Sequence, residues 1–84
     1  MTVAELKKTL SEHLVPAKLY QIGGEVSGRI CLEKVNDAWE VFFCEGKKKI
    51  GTLFFRDENS ACARMLREVT KAAALLDDAP LSLA

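Results

Sequence analysis

The stretch from Trp39 to Phe55, WEVFFCEGKKKIGTLFF, constrains this chain more than any other. β-branched and aromatic residues flank a glycine-bearing polar break, which predicts two antiparallel strands joined by a short loop. Side chains alternate along a strand, so the neighbours Phe42 and Phe43, and again Phe54 and Phe55, must point to opposite faces. The sheet that holds them is apolar on both sides. Each aromatic can bury roughly 150–250 Å², and a bare face with three or four would reach the roughly 300–600 Å² of the largest apolar patch on a typical monomer. Both faces need a cover, from the chain itself or from a partner.

The flanking segments supply two candidate covers. Thr2-Val3-Ala4-Glu5 fits a capping box, in which a threonine oxygen and a glutamate three residues on satisfy exposed helix amides reciprocally. Val3, Leu6, Leu10 and Leu14 then recur at three- and four-residue steps and predict one apolar stripe, ended by Pro16. His13, the lone histidine, falls in the last turn and reads as a capping or surface residue, because no acid or nucleophile is spaced to partner it. Asp57 is a good N-cap for a second helix from Glu58 to about Leu76, with Cys62, Met65, Leu66, Val69, Ala73 and Leu76 as its buried stripe. Asp77-Asp78 and Pro80 are expected to stop it, leaving residues 78–84 as a frayed tail.

Between the helices, Lys18 to Ile22 and Arg29 to Val35 have strand character. Gly23-Gly24 provides the positive-φ freedom of a turn or bulge, and Asn36-Asp37 fits a two-residue hairpin turn. On the last two strands Trp39, Val41 and Phe43 should share a face, and Ile50, Thr52 and Phe54 should alternate with Gly51, Leu53 and Phe55. Gly51 is a candidate bulge. The expected class is α+β in the order αββββα: a helix, a four-stranded antiparallel meander sheet and a helix, forming one domain over residues 1–84. The sequence does not choose between helices on opposite faces and a face covered by a partner.

Composition narrows the function. An 84-residue chain with 49% hydrophobic residues supports one core and not two. It contains nothing like the roughly 18 consecutive apolar residues of a membrane span, and its amphipathic start lacks the basic-then-apolar pattern of a secretory leader. Cys31, Cys44 and Cys62 lack CxxC spacing, so reduced, buried thiols in a cytoplasmic protein are expected. The formal net charge is zero, which argues against bulk attraction to nucleic acid or to an anionic membrane. The charges are nevertheless segregated: residues 25–46 carry five acids and two bases, and residues 47–71 seven bases and three acids.

Catalysis needs convergent titratable groups, and the sequence has no HxxxH, no nucleophile elbow and no phosphate-cradling loop opening a helix. Catalytic, metal and cofactor residues are accordingly not assigned. Lys47-Lys48-Lys49 among aromatics, with helices flanking a sheet, resembles a double-stranded RNA-binding domain. That family carries a basic motif at the start of its final helix, where this chain reads Asp57-Glu58-Asn59-Ser60, which would repel phosphate. RNA binding is therefore an alternative, beside a generic protein-interaction module.

A further pattern spans about Tyr20 to Leu66. It comprises Tyr20-x-Ile22-x-Gly24, Cys31 and Glu33, Trp39-x-Val41-Phe42-Phe43-x-Glu45-Gly46-Lys47, and Phe55-x-x-Glu58-x-x-Ala61-Cys62. This resembles small bacterial immunity proteins of polymorphic and contact-dependent growth-inhibition toxin systems, whose pattern is a tryptophan strand, an E-x-G-x-K turn and F-x-x-E-x-x-A at the last helix. The chain departs from it at the turn, where Glu45 and Gly46 are adjacent. The resemblance implies an antitoxin that binds and neutralises a cognate toxin domain, often a nuclease, in the cytoplasm of the producing cell, without catalysis. The acids Glu33, Asp37, Glu40 and Glu45 would suit a basic cleft, and Lys47, Lys48 and Lys49 an acidic rim. A homodimer through an open edge strand is also left open.

Overall fold

The computed structural model describes residues 1–76 in full and the backbone alone over 77–83. The elements are α1 (Val3–Glu12), a 3-10 turn (Ala17–Leu19), β1 (Tyr20–Ile22), β2 (Ile30–Val35), β3 (Ala38–Glu45), β4 (Lys48–Phe55) and α2 (Glu58–Leu83). The class is α+β, with four strands in the order β1-β2-β3-β4. The tail expected over 78–84 lies outside the fully described residues. The bounds of α2, Glu58–Leu83, pass the stop expected near Leu76.

The capping box forms as predicted: the Thr2 side chain accepts from the Glu5 amide, and the Glu5 carboxylate accepts from the Thr2 amide. At the other end of α1 the capping reading of His13 holds and the place of Leu14 on the buried stripe does not. His13 is the C-cap, and Leu14 adopts a left-handed φ of 57°. The Val15 amide donates to the Leu10 carbonyl at 3.1 Å and the Leu14 amide to the Ser11 carbonyl at 3.0 Å. These are the two bonds of a Schellman motif, with a leucine where glycine is usual. Val15 is thereby turned back against the core, while Leu14, expected on the buried stripe, is 87% exposed.

The sheet is not a pure meander. β1 pairs with β2 in parallel, Tyr20 opposite Ile30 and Ile22 opposite Leu32, whereas β2–β3 and β3–β4 are antiparallel. A parallel neighbour requires the chain to return to the end where β1 began. Residues 23–29 make that return. Gly23, Gly24 and Gly28 all have positive φ; the Gly23 amide bonds to the Leu32 carbonyl and the Gly28 amide to the Cys44 carbonyl, each at 2.7 Å. The hairpin at Asn36-Asp37 is as expected, with Val35 opposite Ala38.

Gly51 does sit in a bulge. The register moves from Val41 opposite Leu53 to Phe43 opposite Ile50, and Gly51 has a φ of 64°. The bulge breaks the simple alternation expected for β4, because one extra residue flips every side chain beyond it. Ile50 therefore shares a face with Leu53 and Phe55 and not with Phe54.

Both helices lie on one face. α2 packs on β2, β3 and β4, and α1 packs on α2. One cluster holds Leu6 and Leu10 of α1, Leu32 and Val41 of the sheet, and Ala61, Cys62, Met65 and Val69 of α2, with Tyr20, Ile22, Trp39 and Phe55 around it. Burying each large aliphatic side chain there contributes about 1.5–3 kcal/mol. The two helix N-termini are adjacent, which would set like partial charges together. Glu58 offsets this by accepting a 2.7 Å bond from the Val3 amide, and the terminal amine of Met1 donates to Asn59. Leu76, expected on the buried stripe of α2, is 52% exposed.

Candidate interaction surface

With both helices on one side, the other face of the sheet is covered, among the described residues, by its own side chains and by the return loop. Its residues follow from the register. Cys31 and Glu33 of β2, Glu40, Phe42 and Cys44 of β3, and Lys49 and Phe54 of β4 share this helix-free face. Its two halves are unlike.

The half near the return loop is closed. Cys31, Phe42 and Cys44 form a second, smaller buried cluster. The loop is held over it by the Ser27 hydroxyl, which accepts from the Gly46 amide at 2.8 Å, and by the Gly28 bond to Cys44. Lys49 completes the cover. Its ammonium lies 4.8 Å from the Phe42 ring centroid, 2.8 Å from a Glu40 carboxylate oxygen and 3.4 Å from one of Glu25. The hydrogen bond to Glu40, ahead of that to Glu25, raises the Lys49 pKa above its ordinary value despite some desolvation. Burial pushes the Cys31 and Cys62 thiols up, so both are held as unreactive thiols.

The other half is open. Glu33 stands directly opposite Glu40, and Glu40 directly opposite Phe54, so the three make one row across β2, β3 and β4. Glu40 is buried, but Phe54 is 69% exposed. Two carboxylates directly opposite one another are destabilising. Glu40 is neutralised by Lys49, and Glu33 has no ion-pair partner among the described residues.

The residues singled out in the sequence are thus dispersed. Glu33, Glu40 and Lys49 meet on the helix-free face. Asp37 is exposed in the β2–β3 turn, while Glu45, Lys47 and Lys48 lie exposed at the opposite end of β3, roughly 25 Å away along an eight-residue strand. There Glu45 pairs with Lys48 across a two-residue turn, Gly46-Lys47. Phe54 is the member that charge patterning missed; its signal was the two-sided aromatic content of β4.

The helix side carries a separate depression of about 310 Å³, lined by Ile30, Val41, Phe43, Ile50 and Leu53, with Arg64 and Glu68 of α2 at its wall. The bulge builds it by turning Ile50 toward Phe43. These two are 44% and 41% exposed. Arg64 and Glu68 pair with each other at 2.8 Å, so this wall has no net charge.

No group of three His, Cys, Asp or Glu side chains among the described residues is placed to hold a metal ion, and no helix among them is long and apolar enough to cross a membrane. Searches of family models, curated proteins and solved structures give no match to this chain.

Proposed function

We propose that this chain is an immunity protein, a cytoplasmic antitoxin that binds the toxin domain of a bacterial growth-inhibition system and blocks it by covering a surface the toxin needs. One observation carries the reading: the helix-free sheet face, which has an exposed Phe54 beside a row of carboxylates and no covering element over that half among the described residues. A rigid sheet with an exposed aromatic anchor and a charged surround is the kind of surface on which protein–protein affinity concentrates. The sequence pattern from Tyr20 to Leu66 supports the same reading. Binding alone would suffice for such a role.

The test is co-expression. The reading frame upstream of this one should encode a large secreted protein with a variable C-terminal domain, and that domain should arrest growth unless this chain is present. Unrelieved arrest, or no toxicity from any neighbouring domain, overturns the reading. An RNA-binding role would show instead as micromolar affinity for duplex RNA with a steep salt slope.

A further inference from the structure

We propose that the open row Glu33, Glu40 and Phe54 seats an arginine side chain of the toxin domain, with the guanidinium held against the Phe54 ring and paired to Glu33. The inference rests on the function proposed above and adds to it the chemistry of the contact. The half of the sheet face it uses has no covering element among the described residues, and three features of it define the occupant.

The first is charge. Glu25 and Glu40 share a single ammonium, that of Lys49, and Glu33 sits directly opposite Glu40 with no ion-pair partner among the described residues. A cation from outside completes this arrangement, and an anion would worsen it. The second is the aromatic. Phe54 is 69% exposed beside that charge, and a cation over a ring face is attracted by its quadrupole. The chain already makes this contact once on the same face, with Lys49 at 4.8 Å from the Phe42 ring. The third is size. Glu33 and Phe54 are two strand spacings apart, roughly 10 Å, and the Glu40 carboxylate between them is drawn aside to Lys49. An ammonium can touch a ring and a carboxylate that are close neighbours, as Lys49 does with Phe42 and Glu40. A planar guanidinium, with a flat face for the ring and a fork of donors in its plane, suits a ring and a carboxylate set farther apart. The depression on the helix side lacks this logic, since its charged wall is already neutral.

The experiment has two arms. In the first, calorimetry measures binding of the full chain to the toxin domain encoded upstream. Phe54→Ala and Glu33→Gln should each weaken binding about tenfold or more, as central anchors do. Affinity within twofold of wild type in both variants overturns the arginine seat and leaves the antitoxin reading standing; no binding by the wild-type chain overturns that reading. In the second, which does not need the toxin, amide NMR spectra are followed during titration with a hexa-arginine or a hexa-lysine peptide. Hexa-arginine should shift residues 32–34, 39–41 and 53–55 more strongly than hexa-lysine, and Phe54→Ala should abolish the difference. Equal or diffuse shifts overturn the seat whatever the first arm shows.

Discussion

The two faces of the sheet are made from the same strands and finished differently. On the helix side, the alternate positions Leu32, Val41 and Trp39 are met by two amphipathic helices. On the other side the described residues supply the seven-residue return from β1 to β2 and the reach of Lys49. That is enough to enclose Cys31, Phe42 and Cys44 but not Phe54. The contrast shows that a two-sided apolar sheet does not need a layer on each face. A short glycine-rich loop and one lysine stem can close half of a face, and the remainder is left open.

If both faces are structural where they are closed, truncations there should be the most damaging. Met65→Ala on the helix side should cost about 2–5 kcal/mol, and Phe42→Ala on the other about 3–5 kcal/mol, because each leaves a cavity the fold cannot fully collapse. Denaturant unfolding measures both. A Phe42→Ala cost below about 1 kcal/mol would mean that the loop-covered cluster is not a core.

Glu40→Lys tests the latch between loop and sheet. It replaces the 2.8 Å pair with Lys49 by two cations, and should destabilise by about 1.5 kcal/mol, the low end for a hydrogen bond to a charged group because Lys49 remains partly exposed. The same pair predicts a pH dependence. The Lys49 pKa is raised in the folded chain, so its contribution is fully present below its ordinary pKa and is lost as pH rises through the raised value. Wild type should thus lose stability, relative to Lys49→Met, as pH climbs above about 10.4. At the acid end the sign reverses. Hydrogen bonds from Thr2 and Ser60 hold the Glu5 and Asp57 pKa values below their ordinary range, so both caps stabilise above about pH 4 and fade as pH falls through the lowered values.

Gly51→Ala comes next, with an expected cost of about 1–2 kcal/mol from the left-handed backbone alone, since an added Cβ would meet nothing within 4 Å. The bulge it supports was legible in the sequence as a glycine inside a strand. Its consequence, Ile50 transferred to the helix side, was not, because a glycine does not state where the register shifts. The strands of the central hairpin, both helix starts and the Asn36-Asp37 turn were readable for the opposite reason: each is fixed by residues within a few positions. The parallel β1–β2 pair was hidden because strand direction depends on where the return loop runs, and periodicity is blind to direction. The sharing of one face by both helices was hidden likewise, since each stripe shows that a helix is covered and not by which side of the sheet.

Leu14→Gly should be mildly stabilising, by about 0.5–1 kcal/mol, as relief of the left-handed backbone is partly offset by the greater freedom glycine gains on unfolding. In a domain this small that raises the melting temperature by a few degrees. It sharpens the comparison because Leu14 is exposed through backbone geometry, at the end of α1, whereas Phe54 is exposed because no described residue covers its half of the face. A destabilised Leu14→Gly would show that the leucine itself contacts the fold.

The smallest expected effect is the most informative about the open half. Phe54→Ala removes a side chain that is 69% exposed, and should change stability by less than about 0.5 kcal/mol, while the chemically identical change at Phe42 is among the largest. The ratio of the two costs measures how differently the loop and Lys49 treat the two ends of one face. A Phe54→Ala cost above about 1.5 kcal/mol would mean that the ring is buried in solution, and a second copy on the open β4 edge would then make that cost depend on protein concentration. A cost near zero at every concentration, joined to a tenfold loss of partner affinity, is the signature of a residue kept for binding rather than for folding.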